Sequence, residues 1–146
     1  MSFIYKENSI SLENLEIFYK SMDCIFFPAL STQVIIPEYV VKLYQNAKLF
    51  EVWHNDNLAG LIACYANDTE NKNAFITSVI IHPDFQKNKL ATTLLKNCLS
   101  YLSEHHFNRV QLEVYQDNMP ALKLYKKAGF IEISQTGQMI KMEKNL

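Results

Sequence analysis

Between residues 74 and 114 the hydrophobic period changes twice, and few architectures accommodate that. Ala74 to Ile81 carries Phe-Ile-Thr-Ser-Val-Ile-Ile, a β-branched run that suits a strand buried at its end. His82-Pro83-Asp84 stops it. From about Asn88, the residues Leu90, Leu94, Leu95, Cys98, Leu99 and Leu102 recur at helical spacing. Val110, Leu112 and Val114 then alternate with Arg109, Gln111 and Glu113, the two-residue period of another strand. A strand, a helix and a strand in so short a stretch point to a mixed α/β unit.

The flanking sequence extends the pattern. Residues 3–6 read as a short strand. A helix follows Ser11 as N-cap, with Leu12, Leu15, Ile17, Phe18 and Met22 on one broad face. Pro28 and Pro37 punctuate a mixed apolar loop, after which Val40, Val41, Leu43 and Tyr44 mark a second helix. Leu49–Trp53 and Leu58–Tyr65 form a hairpin about His54-Asn55-Asp56-Asn57. Asp117 and Asn118 start a last helix that Gly129 ends, and Phe130–Ser134 pairs with Gln138–Met142 around Gly137. The order is βααβββαβαββ, and the length of 146 residues fits one domain over 1–146.

Gly60, Gly129 and Gly137 are the only glycines, so neither G-x-G-x-x-G nor a Walker A loop can be written. That excludes simple Rossmann and P-loop sites. Fourteen basic and fifteen acidic residues give a formal charge of -1, which offers no electrostatic footprint for nucleic acid or an anionic membrane. No apolar run approaches the roughly 20 residues of a membrane helix, and the start of the chain lacks the pattern of a signal peptide. Cys24, Cys64 and Cys98 are an odd set inside apolar runs, expected as small buried side chains in a reducing compartment. The expected location is the cytoplasm. The four histidines lack metal-ligand spacing, so no metal is expected.

Two segments combine into a resemblance. The first is Val79-Ile80-Ile81-His82-Pro83-Asp84-Phe85-Gln86-Lys87-Asn88-Lys89-Leu90-Ala91-Thr92, and the second is Asn118-Met119-Pro120-Ala121-Leu122-Lys123-Leu124-Tyr125-Lys126-Lys127-Ala128-Gly129-Phe130 after the strand Leu112-Glu113-Val114. With the element order, they resemble the Gcn5-related N-acetyltransferase (GNAT) superfamily, whose patterns are [QR]-x-x-G-x-[GA] and N-x-x-A-x-x-[LF]-Y-x-x-x-G-F. The resemblance implies a mixed, mostly antiparallel sheet splayed between the fourth and fifth strands and flanked by helices. It implies acetyl-CoA as co-substrate, a primary amine as acceptor, and direct attack in a ternary complex. A small molecule or amino sugar is preferred as acceptor, a peptide N-terminus remains open, and a homodimer is compatible.

Physical chemistry supports part of this without the family. A helix starting near Asn88 presents unpaired N–H groups and a positive dipole end, so a pyrophosphate can sit over residues 87–92, aided by Lys87, Lys89 and a threonine hydroxyl. An ordinary strand–helix corner with solvated lysines would look the same. The resemblance assigns cofactor contacts to Ile80, Ile81, Lys87, Asn88, Lys89, Leu90, Ala91, Thr92 and Asn118, the last also a plain N-cap. It makes Tyr125 the general acid to the departing sulfur, the alternative being a core tyrosine. Glu113 is the candidate base, with a structural role as its alternative. Thr77 and Ser78 are placed to order a water, and His82 is expected to face the turn. One departure stands out: Lys89 occupies the position of the motif glycine, where it can form the turn at negative φ. That departure motivates a second reading, a non-catalytic acyl-CoA sensor.

Overall fold

The computed structural model describes residues 2–146. Seven strands form one sheet: β1 (Ile4–Glu7), β2 (Ala47–His54), β3 (Asn57–Tyr65), β4 (Asn73–Ile81), β5 (Arg109–Tyr115), β6 (Ile131–Thr136) and β7 (Met139–Asn145). Four helices flank it: α1 (Leu12–Ser21), α2 (Ile36–Asn46), α3 (Leu90–Glu104) and α4 (Met119–Lys127). The chain order is the βααβββαβαββ expected, and in space the strands run β1-β2-β3-β4-β5-β7-β6. All neighbours are antiparallel except β4 and β5, which are parallel.

Each face of the sheet buries its own core. Leu15, Tyr19, Val40 and Leu43 of α1 and α2 pack on Leu61 and Ile80. Leu94, Cys98 and Leu102 of α3 and Leu122 of α4 pack on Ile62 and Leu112. Ser11 caps α1 by accepting from the Asn14 N–H at 3.2 Å. The buried face of α1 is Leu15, Phe18 and Tyr19, with Met22 just beyond; Leu12 and Ile17, expected on that face, are 37% and 59% exposed. Tyr19 takes the place they were assigned. Cys64 and Cys98 are buried, but Cys24 is exposed in the irregular stretch between α1 and α2. The last hairpin is longer than its apolar pattern suggests, because the polar ends of β6 and β7 also pair.

Glu51 on β2 is fully buried, yet it is satisfied. Its carboxylate accepts from the Ser9 N–H (2.8 Å), the Ile10 N–H (3.3 Å), the Trp53 indole N–H (2.9 Å) and the Ser9 hydroxyl. Charge-assisted bonds of this kind offset the desolvation of a carboxylate. They tie the β1–α1 connection to the sheet.

The strand that matters most is β4. On β3 its partners step from Ser78 (opposite Ala63) to Ile76 (opposite Cys64), so Thr77 is a bulge residue without a partner. The bulge changes which way the strand faces. Ala74 and Ile76 belong to the α3/α4 core, whereas Ile80 belongs to the α1/α2 core. On its other side, β4 pairs with β5 only from Asn73 opposite Arg109 to Ile76 opposite Leu112. Beyond Ile76 the two strands part, as the fold expectation required.

Candidate active site

The parting of β4 and β5 opens a slot through the sheet. A cavity of about 310 Å³ occupies it, lined by Thr77, Ser78, Val79 and Ile80 on one side and by Glu113 and Tyr115 on the other. Tyr125 and Asn118 of α4 line it from the α3/α4 face, and Phe26 and Phe27 from the α1–α2 connection. Glu113 and Tyr125, 12 residues apart in sequence, therefore approach one cavity from different elements.

Backbone direction decides which groups of β4 are free. The His82 N–H donates to Ala59 O at 2.8 Å, and in an antiparallel ladder the bonded pairs alternate, which directs the backbone of Ile80 toward β3. Val79 and Ile81 point the other way, to the side that β5 has left. Of the two residues expected to offer backbone groups, Ile81 does so and Ile80 does not; Val79 takes its place. Strand parity was the missing signal, since the sequence does not say which neighbour is bonded.

Tyr125 is 6% exposed, and burial alone pushes its phenol well above the usual tyrosine value. Its position is set by the helix end. Gly129 adopts φ +101°, its N–H donates to Lys126 O (3.0 Å), and the Phe130 N–H donates to Tyr125 O (2.9 Å). This is the Schellman arrangement, completed by the edge-on contact of the Phe130 and Tyr125 rings at 5.9 Å. Asn118 caps the other end, its side-chain oxygen accepting from the Ala121 N–H at 3.3 Å. Asn118 also lines the slot. Glu113 is exposed on β5, on the strand face opposite the buried Val110, Leu112 and Val114.

The corner after β4 has unusual backbone. Lys87 and Lys89 have φ of +72° and +56°. Lys89 thus takes the left-handed conformation a glycine adopts readily, not the negative φ expected of a lysine. It also ends the turn, so α3 begins at Leu90. No side chain caps α3, and the Thr93 N–H donates to Lys89 O, leaving the N–H groups of Leu90, Ala91 and Thr92 without helical acceptors. Asn88 folds its amide back onto Phe85 O (2.9 Å) and Gln86 O (3.3 Å), bracing the turn. The Leu90 side chain is buried, so only its backbone faces outward, and the Thr92 side chain points to a groove between α3 and α4. His82 faces the turn as expected, its Nδ1 accepting from the Asp84 N–H at 3.1 Å.

Sequence patterning assigns Tyr39 no role of its own. Its hydroxyl, from α2, lies 2.9 Å from Thr77 Oγ1 and 2.8 Å from Ser78 Oγ. Phe27 also closes the slot, stacking on Tyr115 with ring centroids 5.9 Å apart.

A model of the acetyltransferase (GNAT) family matches residues 15–130. The chain belongs to the GNAT family. Among curated relatives, an N-acetyltransferase 9-like protein of Nematostella vectensis is 31% identical over 56% of this GNAT chain and 42% of its own length. An L-2,4-diaminobutyric acid acetyltransferase of Vibrio parahaemolyticus is 32% identical over 52% of the chain and 42% of its own length. The chain thus spans about two fifths of these relatives. Solved structures with the same GNAT fold include a paia N-acetyltransferase from Thermoplasma acidophilum in complex with coenzyme A, 17% identical, TM-score 0.74, covering 100% of both chains. The ribosomal-protein-S18-alanine N-acetyltransferase of Escherichia coli aligns at 19% identity and TM-score 0.78 over 97% of this chain and 94% of that one. Among the described residues, no group of three or more His, Cys, Asp or Glu is placed to hold a metal ion, and no helix is long and apolar enough to cross a membrane.

Proposed function

We propose that this chain is an N-acetyltransferase that moves an acetyl group from acetyl-CoA to a primary amine by direct attack in a ternary complex. The observation that carries the reading is the slot between β4 and β5, lined from both faces of the sheet, with Tyr125 on one side and Glu113 on the other. The two substrates approach from opposite faces, acetyl-CoA from the α3/α4 side and the amine from the α1/α2 side, to which Glu113 points.

The residues fit the co-substrate. Val79 and Ile81 offer an unpaired strand edge to an extended, amide-bearing arm. The turn of Lys87, Asn88 and Lys89 and the N–H groups of Leu90, Ala91 and Thr92 offer donors and positive charge to phosphates. The Asn118 amide faces the same slot. Bound acetyl-CoA supplies an activated thioester carbonyl and a thiolate leaving group. Tyr125, which like any tyrosine is protonated at neutral pH and is held in that form more tightly by burial, is the group that delivers a proton to the leaving sulfur. The Val79 N–H, on the side that β5 has left, is the β4 donor for an oxyanion, and Glu113 takes the proton that the attacking amine sheds.

Glu113 is the one carboxylate lining the cavity among the described residues, and Phe26, Phe27 and Phe75 supply apolar wall. That lining favours a small amine or an amino sugar over a polycation, with peptide N-termini behind. The sensor reading loses its motive, because Lys89 already adopts the conformation that the motif glycine would provide. The test is thermal stabilisation by acetyl-CoA, followed by CoA release across an amine panel. Absence of binding at saturating acetyl-CoA sinks the proposal. With turnover established, Tyr125→Phe lowers kcat by about 10²-fold or more; an unchanged kcat from pH 6 to 10 removes Tyr125 as the acid.

A further inference from the structure

Consecutive residues of a strand point to opposite faces. Thr77 and Ser78 do not: both hydroxyls meet the single hydroxyl of Tyr39. The bulge at Thr77 makes this geometry, because it re-aims one side chain without moving the other. The cluster lies on the α1/α2 face of the sheet, where the proposed acceptor enters, and Thr77 and Ser78 line the slot. Ser78 is 4% exposed, whereas Thr77 is half-buried and open to the cavity.

The proton inventory makes the cluster directional. Tyr39 has one proton for two neighbours, so it donates to one and accepts from the other. The neighbouring Tyr19 hydroxyl is fully buried and completes no hydrogen bond among the described residues, so it adds no link to the cluster. Tyr19 also packs edge-on against Tyr39, with ring centroids 5.7 Å apart. A donor arriving in the slot therefore sets one sense along the chain. Thr77 donates to Tyr39, and Tyr39 donates to Ser78. In that sense the free lone pairs of Thr77 Oγ1 face the slot.

We propose that Tyr39 is a positioning residue that orients the Thr77 hydroxyl to accept an N–H of the attacking amine. The inference rests on the transferase reading above and adds the group that aligns the acceptor. The amine then presents its lone pair to the thioester while one N–H is held from the α2 side. Tyr39 touches neither substrate. No bond to it forms or breaks.

The test uses acetyl-CoA with glucosamine, alanine amide and ethanolamine as probe amines, following the one that the wild-type protein acetylates fastest. Tyr39→Phe keeps the ring and should raise KM for the amine two- to tenfold, the range for one neutral hydrogen bond, with KM for acetyl-CoA unchanged. Thr77→Val should do the same, the double variant should be no worse than either single, and Thr77→Ser should stay near wild type. Tyr39→Phe also leaves the buried Ser78 hydroxyl unpaired, which lowers Tm. Tyr39→Phe/Ser78→Ala removes that orphan. Recovery of Tm with the amine KM still raised supports positioning; recovery of both, or additive effects of Tyr39→Phe and Thr77→Val, overturns it. If wild type binds no acetyl-CoA or acetylates none of the three amines, the transferase reading falls and this inference falls with it.

Discussion

Gly129 is the residue on which the placement of Tyr125 rests, and replacing it with alanine tests that dependence. At φ +101° an alanine is strained by about 1–3 kcal/mol. Loss of unfolded-chain freedom offsets about 0.4–1 kcal/mol of this. The added Cβ meets Lys144 Nζ at 2.6 Å, but that atom is the end of a flexible side chain and can swing away. If the chain instead relaxes, it forfeits the Gly129–Lys126 and Phe130–Tyr125 backbone bonds, each worth about 1 kcal/mol. Both routes give a net loss of about 1–2 kcal/mol, or roughly 4 °C in Tm for a chain of this size. Denaturant unfolding measures the first quantity and CoA release the second effect, a fall in kcat as the Tyr125 carbonyl loses its anchor. Gly137→Ala is the control: at φ +59° an alanine is strained there too, but its Cβ meets open space and the residue takes no part in the helix end that holds Tyr125. A Gly129→Ala protein within 0.3 kcal/mol of wild type (order of experimental error, roughly) and with unchanged kcat would refute the reasoning.

Lys89→Gly should relieve left-handed strain of about 1–2 kcal/mol and lose about 0.5–1 kcal/mol to unfolded-state entropy, so stability holds or rises slightly while acetyl-CoA affinity is kept or improved; a large loss of affinity in calorimetry would give the ammonium a role of its own. Glu51→Ala should cost about 3 kcal/mol or more by chemical denaturation, because the Ser9, Ile10 and Trp53 N–H groups lose their acceptor inside the protein. Burial raises the pKa of both Tyr19 and Tyr125, so the folded state holds those protons more tightly than the unfolded chain, whose tyrosines titrate near 10. Stability is therefore unaffected by them below pH 10 and falls above it, by about 1.4 kcal/mol per pH unit for each. Absorbance at the tyrosinate band during urea unfolding checks this, and a stability flat up to pH 11 (roughly one unit past the free-tyrosine value) contradicts it.

The order of elements was legible because the apolar periods of the second half survive in the folded chain: Leu90, Leu94, Leu95, Cys98 and Leu102 on α3 and Val110, Leu112 and Val114 on β5 are buried as their spacing requires. Gly129 was legible too, since only a positive φ asks for glycine at that place. The bulge was not. Burial alternates without a break from Asn73 to Ile81, so nothing in the pattern reveals that Ile76 and Ile80 serve different cores. Lys87 and Lys89 hid their left-handed backbone because lysine does not advertise it. Tyr39 escaped notice for a related reason: its partners lie 38 and 39 residues away, and their convergence depends on one unpaired residue in β4.

A sheet ordinarily has two borders, and this one has four. Besides β1 and β6 on the outside, the stretch of β4 beyond Ile76 and the facing end of β5 are borders within it. Exposed borders invite strand addition from any extended chain and are a hazard for aggregation. Here the inner pair is screened by α4 on one face and by Phe26 and Phe27 on the other. What pairs with these borders has to fit a cavity of about 310 Å³ between the two strands. The gap thus works as a sieve: the backbone hunger that elsewhere recruits other proteins is reserved for a ligand thin enough to complete the sheet.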